Sequence, residues 1–359
     1  MNSIPAKTRH LKPGIRKKHQ LPSSKNALPR GTGPGASRGF GFPASDFAPR
    51  IFQPRFALWA ALLVGVVSAV AQVGVFTKDH LIEYTPGWQG ERFPDGRPKV
   101  PDELLQRMRE VSIEEAWAVL RRHGFNHQFE GNWVLAGPPD PVLVGRAVTA
   151  YFHPVRPDVN GVIKQKGEQE GRVGGQNSWI IDTVVKGDVI VVDLMGKVID
   201  GTFMGDNLAN SIWAKTGGTG VVIHGGARDI EGVEKIPDFP VFNRGWDPSA
   251  IADVMLMGIN CPVRMGRASV MPGDVVLGKK EGVIFIPAHL AQEVVETSEI
   301  IRLRDAFGHQ RLREGKYTPG QIDRKWTEDI EKDFTEWLKA RGGELTPYQR
   351  EKLLQGRTW

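Results

Sequence analysis

Residues 201–232 read GTFMGDNLANSIWAKTGGTGVVIHGGARDIEG, a helix pattern and a strand pattern joined by glycines. Leu208 and Ile212 stand one turn apart, and Asp206 or Asn207 can cap the first turn, so 206–215 is a predicted helix. Val221, Val222 and Ile223 follow a glycine-rich turn and predict a strand over 220–224. The strand runs into Gly225-Gly226-Ala227 and then Arg228-Asp229. A helix feeding a β-branched strand through glycine turns is the alternation of an α/β fold.

The same texture continues on both sides. Residues 142–151, 188–193, 240–243, 274–278 and 282–287 are further predicted strands set between glycine turns. Gly187-Asp188 and Gly273-Asp274 each open a β-branched run, an echo explained by turn chemistry and not by a domain repeat. A long helix is predicted over 288–307, behind Pro287. Upstream, Ser112 with Glu115 three residues on makes a capping box at a helix start. Ile322, Trp326, Ile330 and Phe334 recur every four residues and predict one amphipathic helix, packed on the body or on a neighbouring subunit.

The chain has 359 residues, 40% of them hydrophobic and 25% charged, which is globular composition. Its one cysteine, Cys261, excludes an intrachain disulfide framework and a cysteine-cluster zinc site. The net charge of +6 is uneven: residues 1–56 carry 11 Lys/Arg and one acid, Asp46. The remainder is mildly acidic, so the basic balance belongs to the tail and implies no nucleic-acid partner. Residues 1–55, rich in Pro, Gly, Ser, Lys and Arg, are predicted to be a disordered basic tail. The uncharged run 56–77 is long enough to span a bilayer, as an anchor or as a signal segment cut after Ala69-Val70-Ala71. The basic side precedes it, so the expected location of the body is the cell envelope, outside the cytoplasm. A misassigned start would leave the protein cytoplasmic instead.

The central window also carries chemistry. Gly205, Asp206, Asn207 and Leu208 stand at a helix start, where backbone N–H groups lack intrahelical partners and suit a carboxylate or phosphate. Gly225 and Gly226 would let the backbone approach a ligand closely. Arg228 offers a planar fork to a carboxylate or an enolate oxygen. Asp229 offers a hard oxygen to Mg²⁺ or Mn²⁺. Adjacent opposite charges at a strand end are more often an ordinary solvated ion pair, so spacing alone favours that reading.

The order of these motifs resembles the RraA-like family. The resemblance rests on Gly205 to Leu208, on Gly226 to Asp229, and on Phe239-Pro240-Val241-Phe242. Pro272-Gly273-Asp274 and Glu281-Gly282-Val283 extend it, and it covers about residues 110–315. The family holds the class II 4-hydroxy-4-methyl-2-oxoglutarate/4-carboxy-4-hydroxy-2-oxoadipate aldolases and the regulators of ribonuclease E activity. The resemblance implies a β/β/α swivelling-domain-like sandwich and a homotrimer or hexamer. It also implies a small 2-oxo acid substrate and a divalent cation, Mg²⁺ or Mn²⁺. Carried over residue by residue, Gly205, Asp206, Asn207, Leu208 and Arg228 contact substrate, Arg228 and Asp206 are catalytic, and Asp229 holds the metal. An acid from a neighbouring subunit's C-terminal helix helps complete the family's site, and Glu299 or Asp305 is its expected match. The chain departs from the aldolases in having Gly205-Asp206-Asn207 where Gly-Glu-Leu is usual, and His224 where a small or acidic residue is usual.

The expected organisation is a tail (1–55), the apolar segment (56–77), a Pro-rich extension (78–110), a catalytic body (111–315) and a C-terminal helical arm (316–359). The expected activity is metal-dependent cleavage or decarboxylation of a 2-oxo acid through a pyruvate enolate, including oxaloacetate decarboxylation. The rivals are a protein-binding regulator on the same fold and a non-catalytic envelope protein that binds a sugar or an acid. Gly205, Leu208, Arg228 and Asp229 occurring together favour the enzyme. His224 reads as a hydrogen-bonded structural histidine, Cys261 as buried and inert, and Lys279-Lys280 as a solvated turn. P-loop, H-E-x-x-H and G-x-S-x-G motifs do not occur in the sequence.

Overall fold

A computed structural model describes residues 76–341 and 345–354. The predicted tail lies outside these residues, as does the apolar run 56–77 except for Phe76 and Thr77. Among the described residues no helix is long and apolar enough to cross a membrane. This corrects the expected anchor and, with it, the placement of the body outside the cytoplasm.

The described strands are β1 (Phe129–Glu130), β2 (Val134–Ala136), β3 (Leu143–Pro154), β4 (Asp188–Thr202), β5 (Val221–Ala227) and β6 (Val241–Asn243). They continue with β7 (Gly245–Trp246), β8 (Val254–Ile259), β9 (Val263–Met265), β10 (Ala268–Val270), β11 (Val275–Lys279) and β12 (Gly282–Ile286). Ten of them form one mixed sheet in the order β1-β12-β11-β3-β4-β5-β6-β2, with β7 beside β5 and β8 beside β3. β3, β4, β5 and β6 run parallel, and β8 and β11 pair antiparallel to β3.

The pleat sends alternate residues of β4 to opposite faces. Ile190, Val192 and Leu194 enter one core with Val148, Ile223 and helices Pro157–Gln169, Gln176–Ile181 and Asp206–Thr216. Val189 and Val191 enter another with Val222, Phe285 and the β9–β10 pair. A third core joins Val144, Val275 and Ile284 to helices Asp102–Met108, Ile113–Arg122 and Ala291–Arg313. Cover on both faces explains why the predicted strands read as near-continuous apolar runs.

The capping box forms: the Glu115 amide donates to Ser112 Oγ at 3.1 Å, and the Ser112 amide donates to Glu115 Oε2 at 2.8 Å. The C-terminal stripe is built differently from the single predicted helix. Helix Pro319–Ile322 ends before Trp326, and a second helix, Glu328–Ala340, starts after Thr327. Trp326, Ile330 and Phe334 still share one small core with Phe307. Apolar spacing therefore marks the buried positions here without requiring one continuous helix.

The extension is stitched to the sheet by charge. Arg97, 2% exposed, donates from Nη1 and Nη2 to the two carboxylate oxygens of Asp188 at 3.2 Å each. Arg146 on β3 donates to the Val100 carbonyl and to Asp102, both at 2.7 Å. Burial raises the Asp188 carboxyl pKa even with the Arg97 guanidinium facing it.

Candidate active site

The site begins with a crossing of two strands. The far half of β4 runs so close over β5 that a β-carbon on Gly225 would lie 2.7 Å from Leu194 Cβ, and one on Gly226 2.8 Å from the Val198 carbonyl. These glycines thus make room for the chain's own β4, which corrects their expected role in ligand approach. The Phe203 amide donates to the Gly226 carbonyl at 2.9 Å, and the Arg228 amide to the Met204 carbonyl at 3.0 Å. The ends of β4 and β5 are locked side by side, and Gly205 is set against Arg228-Asp229. The two halves of the sequence window meet in space.

Asp229 has φ +60° and ψ +43°, a left-handed conformation that Asp tolerates better than most residues. Its carbonyl accepts from the Gly232 and Val233 amides at 2.9 and 3.0 Å, which turns the chain into helix Ile230–Val233. Arg228 Nε stands 3.6 Å from Asp229 Oδ2, with the side chains 42% and 45% exposed. A loose, half-exposed pair of this kind remains open to a ligand. Among the described residues the Arg228 guanidinium makes no hydrogen bond.

Gly205 is the N-cap of helix Asp206–Thr216. Asp206 Oδ1 accepts from the Asn207 amide at 2.8 Å. This corrects the expectation of a wholly free row of loop amides, because an adjacent carboxylate already takes one of them. Gly232 leaves room for the Asp206 side chain, since a β-carbon there would lie 2.7 Å from Asp206 Cβ. Asn207 is exposed, and Leu208 packs partly into the core.

Other predicted residues lie elsewhere. Glu299 accepts from Arg107 Nε and Nη2 at 2.9 and 3.0 Å, and Asp305 is exposed on the same helix. Within one chain neither has a contact with Gly205, Arg228 or Asp229. His224 Nδ1 is 3.2 Å from Asp193 Oδ1, with both side chains largely buried, so it is a hydrogen-bonded histidine. Burial pushes the Cys261 thiol up to about 12. Lys279 is not the solvated residue expected: it is half-buried and donates to the Arg109 carbonyl at 2.7 Å, while Lys280 is exposed beside Asp140. Two features escape sequence reasoning. Asn177 Nδ2 donates to the Phe203 carbonyl at 2.8 Å and so buttresses the Gly205 loop. Tyr151 Oη lies 2.5 Å from His153 Nε2, and Tyr151 stands across from Asp193. Polar residues alternating at 149, 151 and 153 are the signal for the second feature.

Among the described residues no group of three or more His, Cys, Asp or Glu could hold a metal ion. That donor set does not suit zinc. A half-exposed Asp229 carboxylate fits a hard cation that keeps most of its waters, as Mg²⁺ does.

Comparison with known proteins follows the same lines. The family model described as RraA-like (Aldolase/RraA) matches residues 112–285. Uncharacterized protein MJ0644 of Methanocaldococcus jannaschii is 32% identical over 145 residues, which cover 39% of this chain and 69% of that protein. The 4-hydroxy-4-methyl-2-oxoglutarate aldolase of Thermus thermophilus is 30% identical over 101 residues, 28% of this chain and 60% of that protein. The crystal structure of an uncharacterized protein from Pseudomonas syringae pv. tomato superposes with a TM-score of 0.52 at 22% identity, covering 65% of this chain and 99% of that one, which shows a shared fold. The chain spans 22% to 69% of the length of the curated relatives it matches.

Proposed function

This chain belongs to the RraA-like family, and we propose that it is a divalent-metal-dependent lyase releasing pyruvate from a 2-oxo acid, on a swivelling-domain-like body assembled as a homotrimer or hexamer. The observation that carries the reading is the placement of Gly205 directly against Arg228 and Asp229, which brings the helix start, a guanidinium and a carboxylate together. The aldolase among the relatives supports the reaction class.

Arg228 binds the substrate carboxylate through its planar fork and faces the 2-oxo oxygen. In the cleavage, the C–C bond two atoms from the carboxylate breaks and its electron pair passes to the 2-oxo group as an enolate. Arg228 stabilises charge that is larger in the transition state than in the substrate. Asp206 takes the proton of the 4-hydroxyl as the new carbonyl forms, and a proton delivered to the enolate carbon completes pyruvate. A divalent cation held by Asp229 would supply Lewis-acid charge for the 2-oxo oxygen. Loss of carbon dioxide from oxaloacetate leaves the same enolate, so decarboxylation belongs to the same proposal.

The test is pyruvate release by the full chain from 4-hydroxy-4-methyl-2-oxoglutarate and from oxaloacetate, with Mg²⁺ or Mn²⁺ and with chelator. Metal-dependent release that is lost in Arg228→Ala supports the proposal. A folded protein that releases no pyruvate from either acid overturns it.

A further inference from the structure

Helix Pro157–Gln169 and the turn into helix Gln176–Ile181 border a cavity of about 460 Å³, within the range of small-molecule sites. Phe152, Trp179, Ile251 and Val254 form its apolar lining. Trp179 is only 5% exposed, and among the described residues its indole N–H finds no acceptor, which is costly for a buried donor. The ring is held in place by the helix, where a β-carbon on Gly167 would collide with it.

The polar lining is short of acceptors. Arg172 places Nε on Glu170 at 2.6 Å and Nη1 on the Trp179 carbonyl at 3.3 Å, which leaves Nη2 without a hydrogen bond among the described residues. Asn160 Oδ1 accepts from Gln176 at 2.8 Å, and among the described residues its side-chain N–H groups make no hydrogen bond. Lys164 makes no hydrogen bond or ion pair among the described residues, and the one carboxylate in the lining is the exposed Glu168. Lys164, the open Nη2 of Arg172 and the Asn160 amide therefore border a cavity with an apolar wall.

We propose that this cavity binds a small organic carboxylate with a planar apolar body. The carboxylate accepts from Lys164 and Arg172, a charge-assisted arrangement, while the body lies against Trp179 and Phe152. The site shares no residue with Gly205, Asp206, Arg228 or Asp229, and it stands whether or not the lyase reading does.

Calorimetric titration of the full chain with benzoate and phenylacetate tests it. We expect saturable binding of one molecule per chain, with benzamide about tenfold weaker or worse because it lacks the charge. Lys164→Gln, an exposed position, should weaken benzoate about tenfold, and Trp179→Phe should weaken it further. Arg228→Ala should leave it unchanged. No saturable heat with either acid overturns the proposal. So does binding that is indifferent to Lys164→Gln, or binding that disappears in Arg228→Ala, which would assign it to the other site.

Discussion

Oδ2 of Asp229 occupies the place a β-carbon on Gly205 would take. The glycine therefore matters here through close approach to a side chain, since its own φ of −111° is open to any residue. Gly205→Ala must push the Asp229 carboxylate away or shift the helix start. Misplacing a reacting group by about 1 Å can cost on the order of 100-fold in rate. We expect a loss of that size in pyruvate release, with the circular dichroism spectrum unchanged. Full activity in this variant would mean that Asp229 can move without consequence.

Asp229→Asn keeps a side chain that also tolerates the left-handed conformation, so the turn should survive. It removes the negative charge that would hold a hard cation. Mn²⁺ binding measured by calorimetry should be lost, together with metal-dependent activity. Unchanged Mn²⁺ binding would place the ion on other residues.

Much of this arrangement is legible in the sequence, for reasons that differ by element. β3, β4, β5, β11 and β12 are buried on both faces and announce themselves as β-branched runs between glycines. β8, reading VMLMGI, has methionines and a glycine in place of β-branched alternation and is not predicted. Helix Pro157–Gln169 is hidden by Asn160, Gly161 and Gly167, yet Gly167 is what lets it seat on Trp179. At the candidate site both motifs are visible as strings, and their meeting follows from parallel β4 and β5 ending together. That Gly225 and Gly226 serve the crossing of β4 is a fact of three dimensions, and so is the pairing of Arg97 with Asp188 across 91 residues.

The Arg97–Asp188 pair makes a prediction of its own. Removing one partner of a buried ion pair strands the other charge and typically costs about 3–5 kcal/mol. Arg97→Met should destabilise the chain by roughly that much in chemical denaturation. Adding Asp188→Asn should recover part of the loss, because the buried carboxylate, left with only Arg146 Nε at 3.7 Å as a charged partner, is gone. Strictly additive effects would show that the two side chains do not interact.

Asp274 is fully buried, and burial pushes its carboxyl up to about 7 even though Oδ2 accepts from the Met271 amide at 2.8 Å. In the unfolded chain it titrates near its ordinary value of about 4. The folded state therefore holds the proton more tightly. Its contribution to stability is fully present below about pH 4 and is lost as the pH rises through about 7, with a slope of up to about 1.4 kcal/mol per pH unit. Asp274→Asn should flatten that slope relative to the parent in denaturation midpoints measured across the interval. Identical pH profiles for the two proteins would show that the carboxyl is not shifted.

Arg228 distinguishes binding from catalysis at the candidate site. Its half-exposed guanidinium, 3.6 Å from Asp229, is free to meet a substrate carboxylate in the ground state. On the proposed mechanism the developing enolate would be a second partner, whose charge exists only as the C–C bond breaks. Losing a contact present throughout raises KM alone, whereas losing one that strengthens in the transition state lowers kcat. Arg228→Ala should therefore lower kcat, by on the order of 100-fold or more for a charge-stabilising donor. Arg228→Lys restores the charge without the planar fork and should recover only part of that loss. A rise in KM with kcat unchanged would reduce Arg228 to an anchor for the carboxylate and leave the enolate without this partner.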